Sequence, residues 1–239
     1  MNPETMTFDE IEHRLASHEP VLLPQDRRIH AAVALILRES APGLEILFVE
    51  RVARDRDPWS GDLGFPGGKV EPSDGSPQAA AERETQEEIG LDLRNARYLG
   101  RLSDLAGIRL PIRVSCFAYG IEEVCQLHLS EELRDAIWVP LGSLVDPESH
   151  VTATVRFGEE MMESPAIRLP GLDKPVLWGL TYRLVMHFLE ILSYPAEKAE
   201  ERIVCECPNQ ECQRHADCEA CQDHHAKKEN LPFCKREEQ

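Results

Sequence analysis

The pattern of hydrophobic and polar positions along the chain predicts alternating strands and helices. Apolar, partly β-branched runs over 30–37 and 44–49 are separated by a Ser-Ala-Pro-Gly turn and predict a hairpin. The pattern is lost over 53–74, and a stretch of this length rich in charge, Gly and Pro is typical of a functional loop. A helix is predicted over 77–89, because Ser76 can cap its first turn.

The remaining elements follow from the spacing of apolar residues, which repeats about every 3.6 residues in a helix and every second residue in a strand. Helical spacing predicts a short amphipathic helix over 7–16 and a long helix over 177–191 that packs on the sheet. The other predicted elements are strands over 98–102, 112–119 and 136–139, a short helix over 141–144, and a second hairpin formed by 151–155 and 166–169. The mixture of strands and helices predicts an α/β fold.

Composition and charge narrow the choice of partners. The chain has 26 basic and 43 acidic residues and a formal charge of −17, so it repels nucleic-acid backbones and anionic lipid. We expect a small-molecule partner and no polymeric nucleic acid or membrane. No apolar run approaches the ~20 residues of a membrane-spanning helix, and the first residues lack the features of a signal peptide, so a cytoplasmic location is expected. A homodimer is left open.

Cysteine is concentrated in the last part of the chain. Because cytosolic thiols stay reduced, such a cluster is more often a metal site than a disulfide framework. Five of these residues have spacings that can close a tetrahedral zinc site, with nearby histidines as further ligands: Cys207, Cys212, Cys218, Cys221 and Cys234. An iron–sulfur cluster and an unstructured reactive tail are the alternatives. The expected division is an N-terminal helical segment (1–27), a main domain (28–200) and a cysteine-rich metal-binding tail (201–239).

Three carboxylates fall on one face of the helix predicted over 77–89. Glu84, Glu87 and Glu88 stand at i, i+3 and i+4, where side chains are neighbours. Carboxylate oxygens are the ligands that Mg²⁺ prefers, and Gly67 and Gly68 upstream allow a carbonyl or a phosphate to approach closely. The alternative is a solvated acidic helix face without a ligand.

The wider pattern resembles the signature of Nudix hydrolases, which cleave a nucleoside diphosphate linked to another group. The matching positions are Gly68, Asp74, Arg83-Glu84, Glu87-Glu88 and Gly90-Leu91. Asp74 replaces the Glu of the general signature and lies one residue further from Arg83, and Thr85 replaces an aliphatic residue.

The resemblance implies a Nudix α/β/α sandwich with a mixed sheet. It also implies that Glu84, Glu87 and Glu88 bind Mg²⁺ or Mn²⁺ together with the backbone carbonyl of Gly68, and that Arg83 orients a glutamate through a salt bridge. The general base is one of these glutamates or a carboxylate outside the motif. Glu131 and Glu132 are candidates by position, but surface exposure is the simpler account of both.

An arginine-rich segment leads into the motif. Arg51, Arg54, Arg56 and Phe65-Pro66-Gly67-Gly68 resemble the additional signature of the coenzyme A diphosphatase branch, and the similarity extends over about 28–195. It implies that these arginines, Gly67 and Gly68 bind a substrate that is cleaved to 3',5'-ADP and (acyl-)4'-phosphopantetheine. Surface ion pairs with neighbouring aspartates are the simpler account of the arginines.

Two alternatives to coenzyme A hydrolysis remain at this point. The first is the same chemistry on ADP-ribose, NADH, a sugar nucleotide or a dinucleoside polyphosphate, because substrate choice lies in loops around the motif. The second is a regulator that keeps the fold and senses metal or redox state through its tail.

Truncation after Glu201 tests the separate tail. We expect the shortened protein to retain Mg²⁺-dependent hydrolysis, and the full chain to carry stoichiometric zinc or iron that the shortened protein lacks, since a segment this poor in apolar residues needs ligation for order. Elemental analysis of anaerobically purified protein measures the metal. Neither metal in the full chain would remove the metal module, and loss of hydrolysis on truncation would place the tail in the catalytic unit.

Overall fold

The computed structural model describes residues 6–40, 43–52, 61–122, 126–158, 160–169, 171–193 and 224. The chain divides into two units, Met1–Pro195 and Ala196–Gln239, and the account that follows concerns the first. The five cysteines predicted to bind metal lie outside the described residues. The metal-binding tail and the proposed domain boundaries therefore stay predictions.

Four helices and eleven strands occur in the described part of the first unit. The helices are α1 (Phe8–Ser17), α2 (Pro77–Ile89), α3 (Leu141–Val145) and α4 (Gly179–Ser193). The strands are β1 (Ile29–Glu39), β2 (Leu44–Arg51), β3 (Leu63–Gly64), β4 (Gly67–Lys69), β5 (Arg97–Arg101), β6 (Leu105–Ala106), β7 (Ile112–Ile121), β8 (Leu133–Pro140), β9 (His150–Phe157), β10 (Glu160–Ile167) and β11 (Leu177–Trp178).

The first eight strands form one mixed sheet. Its central path is β3-β2-β1-β7-β5, with β8 beside β2 and β6 beside β7. Strands β1 and β7 are parallel over ten residue pairs, and all ten residues of β7 are buried, as expected for a strand covered on both faces. The other pairs are antiparallel.

One edge of β1 is shared by two partners, and this places the candidate site. Strand β2 pairs with β1 over Leu37–Glu39, whereas β4 pairs with β1 over Ala31–Val33. The end of β2 therefore diverges from β1, and the glycine-rich β4 fills the space between them. This arrangement brings β4 under α2.

The sheet is covered by helices on both faces. Phe8, Ile11 and Leu15 of α1 share one apolar cluster with residues of α4, whereas Ala81 and Ile89 of α2 belong to a second cluster on the opposite face. These two layers around the mixed sheet confirm the α/β/α sandwich predicted from the sequence resemblance.

Helix α2 begins and ends where its sequence predicts. The hydroxyl of Ser76 accepts a hydrogen bond from the backbone N–H of Ala79 at 3.1 Å, and Pro77 occupies the first turn. Gly90 ends the helix in the left-handed conformation with φ 72°, where its N–H donates to the carbonyl of Gln86. Fixed ends hold the register of the glutamates on this helix.

The segment predicted as an irregular loop over 53–74 is ordered in its described part. Strands β3 and β4 and a 3-10 turn over Pro72–Asp74 lie within 61–74. The prediction of irregular structure is wrong there, because pairing with β2 and β1 stabilises backbone that has little intrinsic preference for strands.

The C-terminal hairpin differs from its prediction as well. Its second strand is β10 rather than 166–169, and β9, β10 and β11 form a separate antiparallel sheet. Leu177 and Trp178 belong to β11, and α4 starts only at Gly179, which has φ 62°. The helix predicted from Leu177 therefore begins two residues later. Leu177 and Trp178 pair with β10 instead, and the helix starts at a glycine with positive φ.

No helix in the described ranges combines the length and the apolar character needed to cross a membrane.

Candidate active site between β4 and helix α2

The backbone of β4 lies directly against the glutamate face of α2. A Cβ added at Gly68 would lie 2.4–2.5 Å from the carboxyl atoms of Glu84, so the carboxylate occupies the space above this glycine. The backbone N–H of Gly67 donates a hydrogen bond to Oε2 of Glu88 at 2.9 Å. The two glycines are required here because any side chain would displace a carboxylate or the neighbouring strand.

Glu88 is the most deeply buried of these carboxylates. Its side chain is 8% exposed, and its second oxygen, Oε1, lies 3.3 Å from Nη1 of Arg51. Burial raises the pKa of Glu88 from 4.5 to about 7, against the opposing effects of the Gly67 N–H and the Arg51 charge. This carboxyl group can therefore exchange a proton near neutral pH.

Arg83 holds the acidic residues of this region together. Its Nε and Nη2 atoms donate to the two oxygens of Asp74 at 2.7 and 3.1 Å, and its Nη1 lies 3.0 Å from both Glu84 Oε1 and Glu87 Oε2. Its Nη2 also donates to the carbonyl of Lys69 at 3.2 Å. A single guanidinium thus ties β4, the 3-10 turn and α2 to one another.

Asp74 lies at the end of the 3-10 turn over Pro72–Asp74, where its carboxylate meets Arg83. The hydrogen bonds from Arg83 hold its pKa below the ordinary value, while its side chain is only 3% exposed. From the sequence alone, Asp74 is a departure from the signature with no assigned role. The bidentate contact shows that the aspartate supports Arg83.

Glu84 and Glu87 differ in burial. Burial raises the pKa of Glu84, whereas Glu87 is 59% exposed. Over the described ranges, no three His, Cys, Asp or Glu side chains converge on a common point as a metal cluster does, because these oxygens face Arg83, Gly67 and Arg51. The set of hard oxygen donors beside the two glycines of β4 nevertheless fits Mg²⁺ or Mn²⁺.

The predicted substrate arginines are only partly described. Arg51 contacts Glu88 and, through Nη2, lies 3.5 Å from Oε2 of the exposed Glu132. Arg54 and Arg56 fall outside the described residues. Glu132, which the sequence analysis explained by surface exposure, is thus brought next to the glutamate site by Arg51.

A cavity of about 430 Å³ opens beside β4. Its lining includes Arg51, Gly67, Gly68 and Lys69 beside the glutamate site, together with residues of β1, β7, the separate C-terminal sheet and α4. The other side chains of the lining are mainly apolar, among them Val33, Val114, Phe157, Met162, Trp178, Leu180 and Leu184. Such a cavity suits a molecule that combines a charged group with a mostly apolar remainder.

The charge of the cavity is opposite to that of the protein. Among the described residues its lining includes four basic side chains and one acidic side chain, Asp62, which accepts a hydrogen bond from Trp178 Nε1 at 2.9 Å. The basic side chains are Arg51, Lys69, Arg109 and Arg183. In a chain with a net charge of −17, this local excess of positive charge favours an anionic ligand.

Sequence reasoning missed the residues that the C-terminal elements contribute. From the sequence, Trp178 falls in the helix predicted over 177–191 and has no assigned function, and nothing singles out Arg109 or Met162. Trp178 and Met162 stand in no local motif and reach the cavity through the packing of the C-terminal sheet against the core, whereas Arg109 reaches it from the turn between β6 and β7.

The model of the NUDIX domain family matches residues 27–157, more than half of the chain. A "Probable nudix hydrolase" of Schizosaccharomyces pombe is 29% identical over 193 residues, which cover 77% of this chain and 65% of the relative. An uncharacterized protein of the same organism is 36% identical over 111 residues, covering 43% of this chain and 34% of the relative. The chain thus spans less than two thirds of the length of either yeast relative.

A third relative carries a more specific name. The human "Mitochondrial coenzyme A diphosphatase NUDT8" is 27% identical over 151 residues, which cover 62% of this chain and 63% of that protein.

The raised pKa of Glu88 predicts a pH-dependent stability difference for Glu88→Gln. Between pH 4.5 and 7 the folded protein holds a proton on Glu88 that the unfolded chain releases, so this group's contribution to stability falls as the pH rises through that range. The glutamine variant should therefore gain about 1–3 kcal/mol relative to the wild type between pH 5 and pH 8. Urea unfolding with a chelator present measures the difference.

Glu82→Gln is the matched control, because Glu82 lies on the same helix and accepts a hydrogen bond from the Tyr119 hydroxyl instead. A pH-independent difference between Glu88→Gln and the wild type would refute the assignment of the raised pKa.

Proposed function

Because this chain belongs to the Nudix family of hydrolases, we propose that it hydrolyses the diphosphate linkage of coenzyme A or acyl-coenzyme A, releasing 3',5'-ADP and (acyl-)4'-phosphopantetheine. The family assignment made from the sequence signature is confirmed by the domain match. The observation that carries the proposal is the close approach of Glu84 and Glu88 to Gly68 and Gly67, which line a cavity with mainly apolar walls.

Divalent-cation dependence follows from the donor set. Glu84, Glu87 and Glu88, with the carbonyl of Gly68, are the residues that would hold Mg²⁺ or Mn²⁺. The cation would lower the pKa of a bound water and offset negative charge on the phosphate. Zinc in the cysteine-rich tail is a separate proposal that rests on the sequence alone.

The protein's own residues would prepare the reaction in three ways. Arg83 fixes the side chains of Glu84 and Glu87 and is itself held by Asp74. Arg51 and Lys69 supply positive charge where the diphosphate enters the cavity. One of these glutamates, or a carboxylate outside the motif, would accept the proton of the attacking water.

Three observations favour coenzyme A over other nucleoside diphosphate derivatives. The arginine-rich lead into Phe65-Pro66-Gly67-Gly68 resembles the coenzyme A branch, and one relative is named as a coenzyme A diphosphatase. The apolar walls suit the extended pantetheine arm better than the hydroxyl-rich sugar of ADP-ribose or a sugar nucleotide, because buried hydroxyls need hydrogen-bond partners. The complete set of carboxylates argues against a regulator that has lost catalysis.

A substrate comparison tests the proposal. The purified full chain, with Mg²⁺ or Mn²⁺, is assayed against coenzyme A, acetyl- and octanoyl-coenzyme A, NADH, ADP-ribose and dinucleoside polyphosphates, with products separated by chromatography. We expect 3',5'-ADP and the matching 4'-phosphopantetheine as the main products. Rapid turnover of ADP-ribose, NADH or a sugar nucleotide without cleavage of any coenzyme A species would establish the alternative substrate class instead.

Charge-removing substitutions on α2 should abolish turnover without unfolding the protein. Glu84→Gln, Glu87→Gln and Glu88→Gln should each lower kcat by roughly 100-fold or more, because each removes a negative donor while preserving volume. Glu82→Gln makes the same change on the same helix, facing Tyr119, and should leave kcat near the wild-type value. Normal turnover by all three site variants at saturating Mg²⁺ would exclude the proposed site.

A further inference from the structure

Glu50 is a buried carboxylate that the proposed reaction does not use. It stands on β2 next to Arg51, and its side chain is only 3% exposed. Nη1 of Arg134 donates to its Oε1 at 3.0 Å, and Nζ of Lys174 donates to its Oε2 at 2.7 Å. Lys174 is the more deeply buried cation, with 18% exposure against 74% for Arg134. Because a buried carboxylate without a cation is strongly destabilising, Glu50 holds Lys174 firmly.

Lys174 belongs to the segment that joins β10 to β11. Its Nζ also donates to Oδ2 of Asp135 on β8 at 2.6 Å, so the ammonium group attaches this segment to the neighbouring strands β2 and β8. Four residues later, Nε1 of Trp178 donates to Oδ1 of Asp62, directly before β3, at 2.9 Å. The stretch 174–178 is therefore attached at both ends to the corner where β2 pairs with β3.

This stretch ends in the wall of the cavity. Trp178 lines the cavity, and its ring meets the ring of Phe157, another lining residue, edge-on with 6.4 Å between their centres. Asp62 lines the cavity as well, and its backbone carbonyl accepts a hydrogen bond from the N–H of Arg51 at 3.1 Å. The two partners of the buried ion pair do not line the cavity. They can therefore act on a substrate only through the residues that they hold.

We propose that Lys174 is a positioning residue for the substrate cavity, which acts by holding Trp178 against β3 through its contact with Glu50. The inference rests on the proposed function and deepens it, because it names the contact that keeps an aromatic wall in place for the apolar part of the substrate. Neither partner of the ion pair takes part in bond cleavage. Loss of the contact should therefore weaken substrate binding and leave the glutamate site intact.

Steady-state kinetics of Lys174→Met test the positioning role. This change removes the ammonium group and keeps most of the length of the side chain. KM for coenzyme A should rise about tenfold while kcat stays near the wild-type value, because a misplaced wall weakens binding and leaves the reacting groups in place. Lys174→Arg supplies a cation for the same two carboxylates and should restore most of the lost affinity.

A second readout does not depend on turnover. The chain has three tryptophans, so replacing Trp59 and Trp138 by Phe leaves Trp178 as the single indole fluorophore. In this background Lys174→Met should raise the rate constant of acrylamide quenching roughly twofold, because the indole leaves its contacts with Asp62 and the wall. Addition of Lys174→Arg should keep the quenching at the background value.

Arg134→Gln is the matched control, because Arg134 binds the other oxygen of Glu50 from β8, a strand with no residue in the cavity lining. It should change neither KM nor the quenching of Trp178. Melting temperatures establish that the variants are folded. If Lys174→Met alone does not fold, the pair of changes Glu50→Gln and Lys174→Met takes its place, since it leaves no buried carboxylate unpaired.

An unchanged KM or unchanged quenching of Trp178 in the folded lysine variant would overturn the proposal. Equal effects of Arg134→Gln would overturn it too, since they would show that Glu50 and its cations only stabilise the fold. Wild-type protein that cleaves no coenzyme A species refutes the proposed function instead. The quenching comparison decides the role of Lys174 in that case as well, which distinguishes the two failures.

Discussion

The approach of the β4 backbone to the glutamate face of α2 is the constraint on which the site depends. Gly67 has φ 147°, and a Cβ there would lie 2.3 Å from the carbonyl oxygen of Ala32 and 2.6 Å from Cα of Val33. The strand can therefore lie between β1 and α2 only with glycine at positions 67 and 68. Its N–H then reaches Glu88, and Gly68 leaves room for Glu84. Sheet pairing and the chemistry of the site thus use the same two residues.

Electrostatics explains how an acidic protein can present this site to an anionic substrate. The carboxylates of α2 are balanced locally by Arg83 and Arg51, and the cavity beyond them is lined mainly by cations and apolar groups. The basic side chains that line the cavity act on the substrate more strongly than the acidic side chains elsewhere on the surface. Solvent and salt screen those more distant charges beyond about 10 Å. The buried Glu88 keeps a pKa near 7 in spite of the arginine beside it, since desolvation dominates.

The sequence was informative wherever local rules determine the structure. The cap at Ser76, the stop at Gly90 and the carboxylate spacing on α2 are local features, and the hairpin of β1 and β2 has a clear apolar pattern. Strands β3 and β4 escaped prediction because their pairing is supplied by β1 and β2 rather than by their own residues. Met162 and Trp178 reach the cavity only through packing of separate elements, which no spacing rule reports. The roles of the predicted site residues stay proposals.

Binding of Mn²⁺ to Gly68→Ala tests the central claim most directly, namely that Gly68 and the adjacent carboxylates of α2 together form a cation site. The three atoms nearest to the new methyl group all belong to the terminal carboxyl group of Glu84, which can rotate away from Gly68, so the protein should fold while this carboxylate is displaced. Electron paramagnetic resonance titration should then show Mn²⁺ affinity roughly tenfold or more weaker than in the wild type. Equal affinity in the two proteins would contradict the account.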